Sequence, residues 1–147
     1  MNEFFHRLPQ FVGSHLWLSL LFVILLIAVI VNELMRLMRK YRELTPAGLT
    51  LLINREDALV VDLSSYADFE KAHIPGARHV AMSQFDPENK DLAKARELPI
   101  VVVCKDGRTS AKAAQRLIKA GFQKVHTLGG GMLSWKQADL PVAKGRK

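Results

Sequence analysis

Apolar and polar positions divide this chain unevenly. From Phe11 to Val31 the sequence FVGSHLWLSLLFVILLIAVIV has no Asp, Glu, Lys or Arg, and its one ionisable side chain is His15. A helix of about 20 mostly apolar residues spans a bilayer core, and no proline interrupts this run. The pattern predicts a short N-terminal tail over 1–10 and a transmembrane helix over 11–31. A cleaved secretory signal is the rival reading, but its apolar core is about 7–15 residues and is followed by small residues. Here the run is longer and ends in Asn32-Glu33-Leu34-Met35-Arg36. Leu34, Leu37, Met38 and Tyr41 then recur at helical spacing. They predict helix over 33–43, within a basic juxtamembrane helix or linker over 32–44.

The rest alternates in period. Thr45-Pro46 reads as a helix cap followed by proline at the first helical position, opening a helix over 47–53. Ala58–Val61 is an apolar run of strand length, Ser65 caps a turn over 66–71, and Pro75-Gly76 marks a turn before a weak strand at 79–82. A short helix is expected over 91–97. Ile100–Val103 is the strongest strand candidate, and Ser110–Ala120 an amphipathic helix stopped by Gly121. A strand over 124–128, a helix over 132–138 and a frayed tail over 144–147 complete the reading. Strands apolar throughout, alternating with helices, argue for a parallel sheet covered on both faces.

Charge changes the picture only in part. The net charge is +7, and the positive excess is partly juxtamembrane: Arg7 precedes the apolar run, whereas Arg36, Arg39, Lys40 and Arg42 follow it. Basic residues in short flanks are retained on the cytoplasmic side. The expected location is therefore the inner membrane, single-pass, with the N-terminus out and the C-terminal domain in the cytoplasm. The same basic flank can meet anionic lipid. No basic patch interleaved with aromatics points to nucleic acid. A single cysteine excludes an internal disulfide, and with scattered histidines it offers no metal-ligand cluster. No cofactor is expected.

That cysteine, Cys104, stands where the apolar run IVVV stops and KDGRTS begins. Ligand sites in parallel α/β sheets lie beyond the carboxyl ends of strands. A helix start offers unpaired N–H groups and a positive dipole end, which stabilise a thiolate. Lys105 and Arg108 add charge, and Gly107 lets the chain curl so that several N–H groups converge. Two readings stand: a nucleophilic sulfur that attacks an anionic donor, or a small buried apolar residue.

Here a resemblance enters. The loop Cys104-Lys105-Asp106-Gly107-Arg108-Thr109-Ser110 resembles the active-site loop of rhodanese-like domains, often C-[R/K]-x-G-x-[R/T]. Val60-Val61-Asp62 is similar to that family's first strand, Phe69–Ala77 to its F-x-x-G-H-I-P-G-A, and the segment from Ala120 through Gly129–Gly131 and Trp135 to its C-terminal motif. The resemblance covers 45–142, leaving a basic tail over 143–147.

It implies an α/β fold, a rhodanese-like three-layer domain with a five-stranded parallel sheet; the one transmembrane helix read from the apolar run precedes it and lies outside the resemblance. It further implies a sulfurtransferase moving sulfane sulfur from thiosulfate or a persulfide to a thiol acceptor through a Cys104 persulfide. The N–H groups of Lys105–Ser110 would hold the anionic charge. Asp62 would be an orienting residue or a buried carboxylate accepting backbone N–H bonds. Arg78 would face the pocket or the surface, and His73 would be structural. Ser64 stands where the family commonly has arginine, and Ala81 where proline is common. Related phosphatases use a loop ending C-x5-R, and here that position is Ser110. The alternative to an enzyme is a non-enzymatic interaction module holding a protein partner at the membrane. Thiol redox sensing lacks a resolving cysteine.

Overall fold

The computed structural model describes Pro9, residues 13–38 and residues 40–146. Arg7, Phe11, Val12, Arg39 and Lys147 of the expectations above lie outside the described residues. The chain divides at Arg39/Lys40 into an N-terminal and a C-terminal unit.

Among its described residues, the N-terminal unit carries the helix α1 (Leu16–Leu37). Its stretch Leu16–Met35 is long and apolar enough to cross a membrane, with mean hydropathy 2.6, and none of it is buried within the protein. Trp17, Phe22 and Val29 are each about two-thirds or more exposed. The helix expected over 33–43 ends at Leu37, and the backbone is extended by Arg42.

The C-terminal unit orders its elements as β1 (Arg42–Leu44), α2 (Pro46–Glu56), β2 (Leu59–Asp62), α3 (Tyr66–Lys71), β3 (Arg78–His79), a 3-10 turn at Met82–Gln84, α4 (Lys90–Ala93), β4 (Ile100–Val103), α5 (Arg108–Lys119), β5 (Val125–Leu128) and α6 (Gly131–Gln137). The five strands form one sheet, β1-β5-β4-β2-β3, parallel throughout. β1 corrects the juxtamembrane expectation, because Arg42-Glu43-Leu44 pairs in register with His126-Thr127-Leu128. An edge strand is held by backbone bonds along one side and needs no apolar alternation, so its sequence does not announce it. Tyr41, expected on the helix, is buried in the domain core.

Local chemistry starts the helices where expected. Thr45 accepts the Gly48 N–H at 3.1 Å, with proline at the start of α2. Ser65 accepts the Asp68 N–H at 3.2 Å, and its hydroxyl donates back to Asp68 Oδ2 at 2.8 Å. Packing then fixes the layers. On one face Val61, Ile100 and Val102 meet Ala113, Ala114 and Leu117 of α5. On the other Val60, Val101 and Val103 meet Leu49, Phe69, Met132 and Trp135 of α2, α3 and α6. Each fully buried Val, Leu or Phe side chain contributes about 1.5–3 kcal/mol, so β4, inaccessible along its whole length, is the spine of the domain.

The tail is not frayed over 144–146. Gly145 N–H donates to Glu70 O at 2.9 Å, and Arg146 Nε donates to Glu70 Oε1 at 3.0 Å. Ala143 pairs antiparallel with His73, and Trp135 Nε1 donates to the Pro141 carbonyl at 3.0 Å. The domain's contacts thus run past 142.

His126, central on β5, faces Arg42 and Val101 across the sheet. Its Nδ1 is buried with no hydrogen-bond partner among the described residues. Burial first, then the Arg42 cation, holds its imidazole below the ordinary histidine range; Glu56 opposes this, and Lys124 adds the smallest push downward. The folded protein therefore takes up this proton less readily than the unfolded chain. The contribution to stability is complete above about pH 6.5 and is lost as pH falls below it. Tm should drop on acidification from about pH 7.5 to 5.5, and less steeply in His126→Leu; equal slopes in the two proteins would refute the assignment.

Candidate active site

The site begins where β4 stops. Beyond Cys104 the chain must turn into α5, and Gly107 makes the turn with φ +90. Asp106 Oδ1 accepts the Arg108 N–H at 3.1 Å, a turn closed by a side chain. The Ser110 hydroxyl donates to the Gly107 carbonyl at 2.9 Å. With Gly107 as its N-cap, α5 starts at Arg108 rather than at the expected Ser110.

A second element holds this loop from outside. Met132 N–H donates to the Cys104 carbonyl at 2.9 Å, and Leu133 N–H to the Lys105 carbonyl at 3.2 Å. The first turn of α6 therefore ties down the loop's carbonyls. Its approach depends on Gly131, which has φ +60: a Cβ there would run into the Cys104 carbonyl oxygen and lie 2.8 Å from the Lys105 carbonyl carbon and oxygen.

Cys104 is 3% exposed. Gly107 N–H donates to its Sγ at 3.0 Å, and Asp106 Oδ1 lies 3.9 Å from the sulfur. Of the amides expected over 105–110, that of Gly107 donates to the sulfur. The Arg108 amide is taken by the Asp106 carboxylate, and Ser110 is fully buried. The Arg108 guanidinium reaches outward, its side chain 90% exposed, 3.6 Å from Asp106.

Beside the loop is a small pocket of about 40 Å3 lined by Ser64, Asp68, Ala72, Lys105, Met132 and Lys136. Asp62, fully buried, supports its wall. Oδ1 accepts the Ser64 N–H at 2.8 Å and a hydrogen bond from the Ser64 hydroxyl. Oδ2 has no hydrogen-bond partner among the described residues. The Ser65 hydroxyl first, then Lys105, with smaller pulls from Lys71 and Lys136, holds the Asp68 carboxyl below the usual carboxylate range.

The model of the rhodanese-like domain family matches residues 45–138. This chain belongs to the rhodanese family. It is 38% identical over 141 residues to the protein YibN of Escherichia coli K12, covering 95% of this chain and 99% of YibN, so that likeness extends into the N-terminal unit. It is 29% identical to the thiosulfate sulfurtransferase GlpE of Coxiella burnetii over 73% of this chain and 97% of that one. Among solved structures, thiosulfate sulfurtransferase from Pseudomonas aeruginosa is similar with a TM-score of 0.63 and 28% identity, over 74% of this chain and 21% of that one. A rhodanese-related protein from Thermoplasma volcanium shares the fold, with a TM-score of 0.61 and 24% identity over 70% of this chain and 98% of that one.

Within this rhodanese domain the sequence-predicted residues separate. Cys104 to Ser110 form one loop, and Asp62 reaches the pocket through Ser64. Arg78 does not join them. It lines a depression with Asp57, Leu59, Asp91 and Lys94, although β3 pairs it with Val61, one step before the strand end. His79, opposite Asp62 at that strand end, is the residue sequence reasoning missed. Its Nε2 lies 2.8 Å from the Ser64 carbonyl, and its ring meets Tyr66 edge-on at 5.5 Å. The register that places it there is not visible in a two-residue strand. His73 is scaffold: buried, with Nδ1 2.8 Å from the Phe69 carbonyl and its ring stacked on Phe69 at 3.8 Å.

Proposed function

We propose that this protein is a membrane-anchored sulfurtransferase that carries sulfane sulfur on Cys104 between an anionic donor, thiosulfate or a persulfide, and a thiol acceptor. The observation that carries the reading is the Gly107 N–H on the Cys104 sulfur at 3.0 Å, at the end of a central strand and one residue before a helix. That N–H is placed to donate to negative charge carried on the sulfur. The helix dipole adds to that field, and Lys105 and Lys136 bring positive charge to the adjoining pocket.

In the first half-reaction the Cys104 thiolate attacks the outer sulfur of the donor. A sulfur–sulfur bond forms to Cys104, the donor's own sulfur–sulfur bond breaks, and sulfite or a thiolate leaves with the electron pair. In the second, an acceptor thiolate attacks the outer sulfur of the Cys104 persulfide, which restores the Cys104 thiolate. Gly107 and the loop amides, with Thr109 and Ser110 shaping the helix start, hold the charge on the carried sulfur. Asp106 keeps the turn closed and pairs Arg108. The test is intact mass of the full-length protein in detergent after exposure to thiosulfate or a persulfide. A gain of one sulfur atom supports the reading, and its absence with both donor classes sinks it.

A second reading has a specific observation behind it. Cys104 is 3% exposed, and Asp106 takes the Arg108 amide that could otherwise face an anion. Both suit a domain that binds a partner without sulfur chemistry, and the same mass measurement separates the two.

The anchor is α1, with lipid as its partner. The proposed topology places the N-terminus outside and the domain in the cytoplasm at the inner membrane, from the basic excess after the apolar stretch. A C-terminal reporter active only in the periplasm should stay silent while a cytoplasmic fluorescent fusion is bright; the reverse pattern overturns the orientation.

A further inference from the structure

We infer that the outward face of α5 is a docking surface for an acidic protein partner, and that it brings this partner alongside the Cys104 loop. The helix divides by charge. Ala113, Ala114 and Leu117 are fully buried in the core, whereas Arg108, Lys112, Arg116 and Lys119 are exposed. Those four recur at i, i+4, i+8 and i+11, which places them in one stripe about 16 Å long. No Asp or Glu lies between Arg108 and Lys119. The stripe begins directly after Gly107, whose N–H donates to the Cys104 sulfur at 3.0 Å.

Folding does not account for this pattern. Opposite charges four residues apart support a solvated helix, and like charges at that spacing weaken it. Arg108–Lys112 and Lys112–Arg116 are two such repelling steps in one helix. Asp106, 3.6 Å from Arg108, offsets the first in part. The ion pairs found elsewhere join Lys124 to Glu56 and Arg146 to Glu70, so Lys112, Arg116 and Lys119 meet no carboxylate among the described residues. The Arg116 guanidinium is also held in place. It lies 5.4 Å from the centroid of the Phe85 ring, which is itself buried. An arginine fixed on an aromatic face presents a preorganised fork of N–H donors, matched to a carboxylate. The surroundings choose among anionic partners. The chain that follows Phe85 carries exposed Asp86 and Glu88. A uniformly anionic bilayer meets those two carboxylates unfavourably. A protein surface can set acids against the stripe and neutral or basic groups beside it.

The experiment uses the full chain in detergent and a labelled helical peptide bearing one stripe of glutamates, with a glutamine counterpart. Fluorescence anisotropy reads binding, and lysine acetylation mapped by mass spectrometry reads the surface that is covered. The glutamate peptide should bind and shield Lys112 and Lys119; the glutamine peptide should do neither. The triple variant Lys112→Gln, Arg116→Gln, Lys119→Gln keeps strong helix formers on a solvated face. It should weaken binding about ten-fold, the size of effect three exposed charge pairs give. Glutamine at Lys90, Lys94 and Lys144, exposed lysines away from α5, removes as much charge and should leave affinity within about two-fold. No binding of the glutamate peptide, equal binding of the two peptides, unchanged affinity in the α5 variant or an equal loss in the control variant overturns the inference. So does shielding of Lys112 and Lys119 without peptide in phosphatidylglycerol nanodiscs but not in phosphatidylcholine nanodiscs, which assigns the face to lipid. Each outcome is read without sulfur chemistry, so the docking surface stands or falls apart from the sulfurtransferase reading.

Discussion

Alanine at Gly131 should lower Tm by more than about 10 °C and slow loading of Cys104 at least ten-fold. Two costs add. The residue sits at φ +60, where a side chain costs about 1–2 kcal/mol. The added methyl also meets backbone: the Cys104 carbonyl oxygen, and the Lys105 carbonyl carbon and oxygen at 2.8 Å. Backbone cannot rotate away as a flexible side chain would, and forced overpacking costs about 1–3 kcal/mol. A combined loss of about 3 kcal/mol corresponds to a Tm shift of roughly 12–24 °C for a domain of this size. The relief available is to push α6 off the loop, which breaks the Met132 and Leu133 N–H bonds to the Cys104 and Lys105 carbonyls. The sulfur then shifts, and misplacement of a reacting group by about 1 Å can cost about a hundred-fold in rate. Calorimetry and the mass assay read the two effects separately. A variant within about 3 °C of the parent and equally fast in loading would show that α6 does not hold the loop.

Serine at Cys104 should abolish sulfur loading completely while the domain stays folded. The replacement is nearly isosteric and its hydroxyl inherits the Gly107 N–H, 3.0 Å from the sulfur. The new polar atom sits in the packed cluster with Val102 and Leu117, so a loss of about 1 kcal/mol is expected. Chemistry is lost for a different reason: a serine hydroxyl does not ionise near neutral pH and cannot carry a persulfide. Unchanged circular dichroism with no added sulfur is the expected pair of results. Sulfur appearing on Cys104→Ser would place the carrier elsewhere, although the chain has no other cysteine.

The local parts of this fold were legible because each is coded by adjacent residues. Ile100–Val103 reads as a buried strand because all four residues are apolar and β-branched. Tyr66–Lys71 begins at the expected residue because Ser65 caps it with its own hydroxyl. β1 was not legible, since Arg42-Glu43-Leu44 looks like the end of a basic helix until β5 supplies its backbone partner. The tail over 144–146 looked frayed because its anchors, Glu70 and His73, lie some seventy residues earlier. The candidate site divides the same way. Cys104, Gly107 and the start of α5 were readable as a strand end, a turn and a helix. Arg78 was left between pocket and surface and His79 overlooked, because the register of a two-residue strand decides which side chain reaches the strand end.

By itself, then, the sequence determined an apolar helix of spanning length, the rhodanese motifs, and a lone thiol at the head of a helix. Hydrophobic period, caps and turns act between residues a few positions apart, and such information survives in a linear string. Only the tertiary structure decided what holds the loop and what lies beside it: the Gly107 amide on the sulfur, α6 docked through Gly131, and a neighbouring pocket lined by Ser64, Asp68 and Lys136. Those groups come from β2, α3 and α6, which the strand order β1-β5-β4-β2-β3 gathers beside the end of β4. Backbone pairing between distant segments sets that order, and no local pattern encodes it.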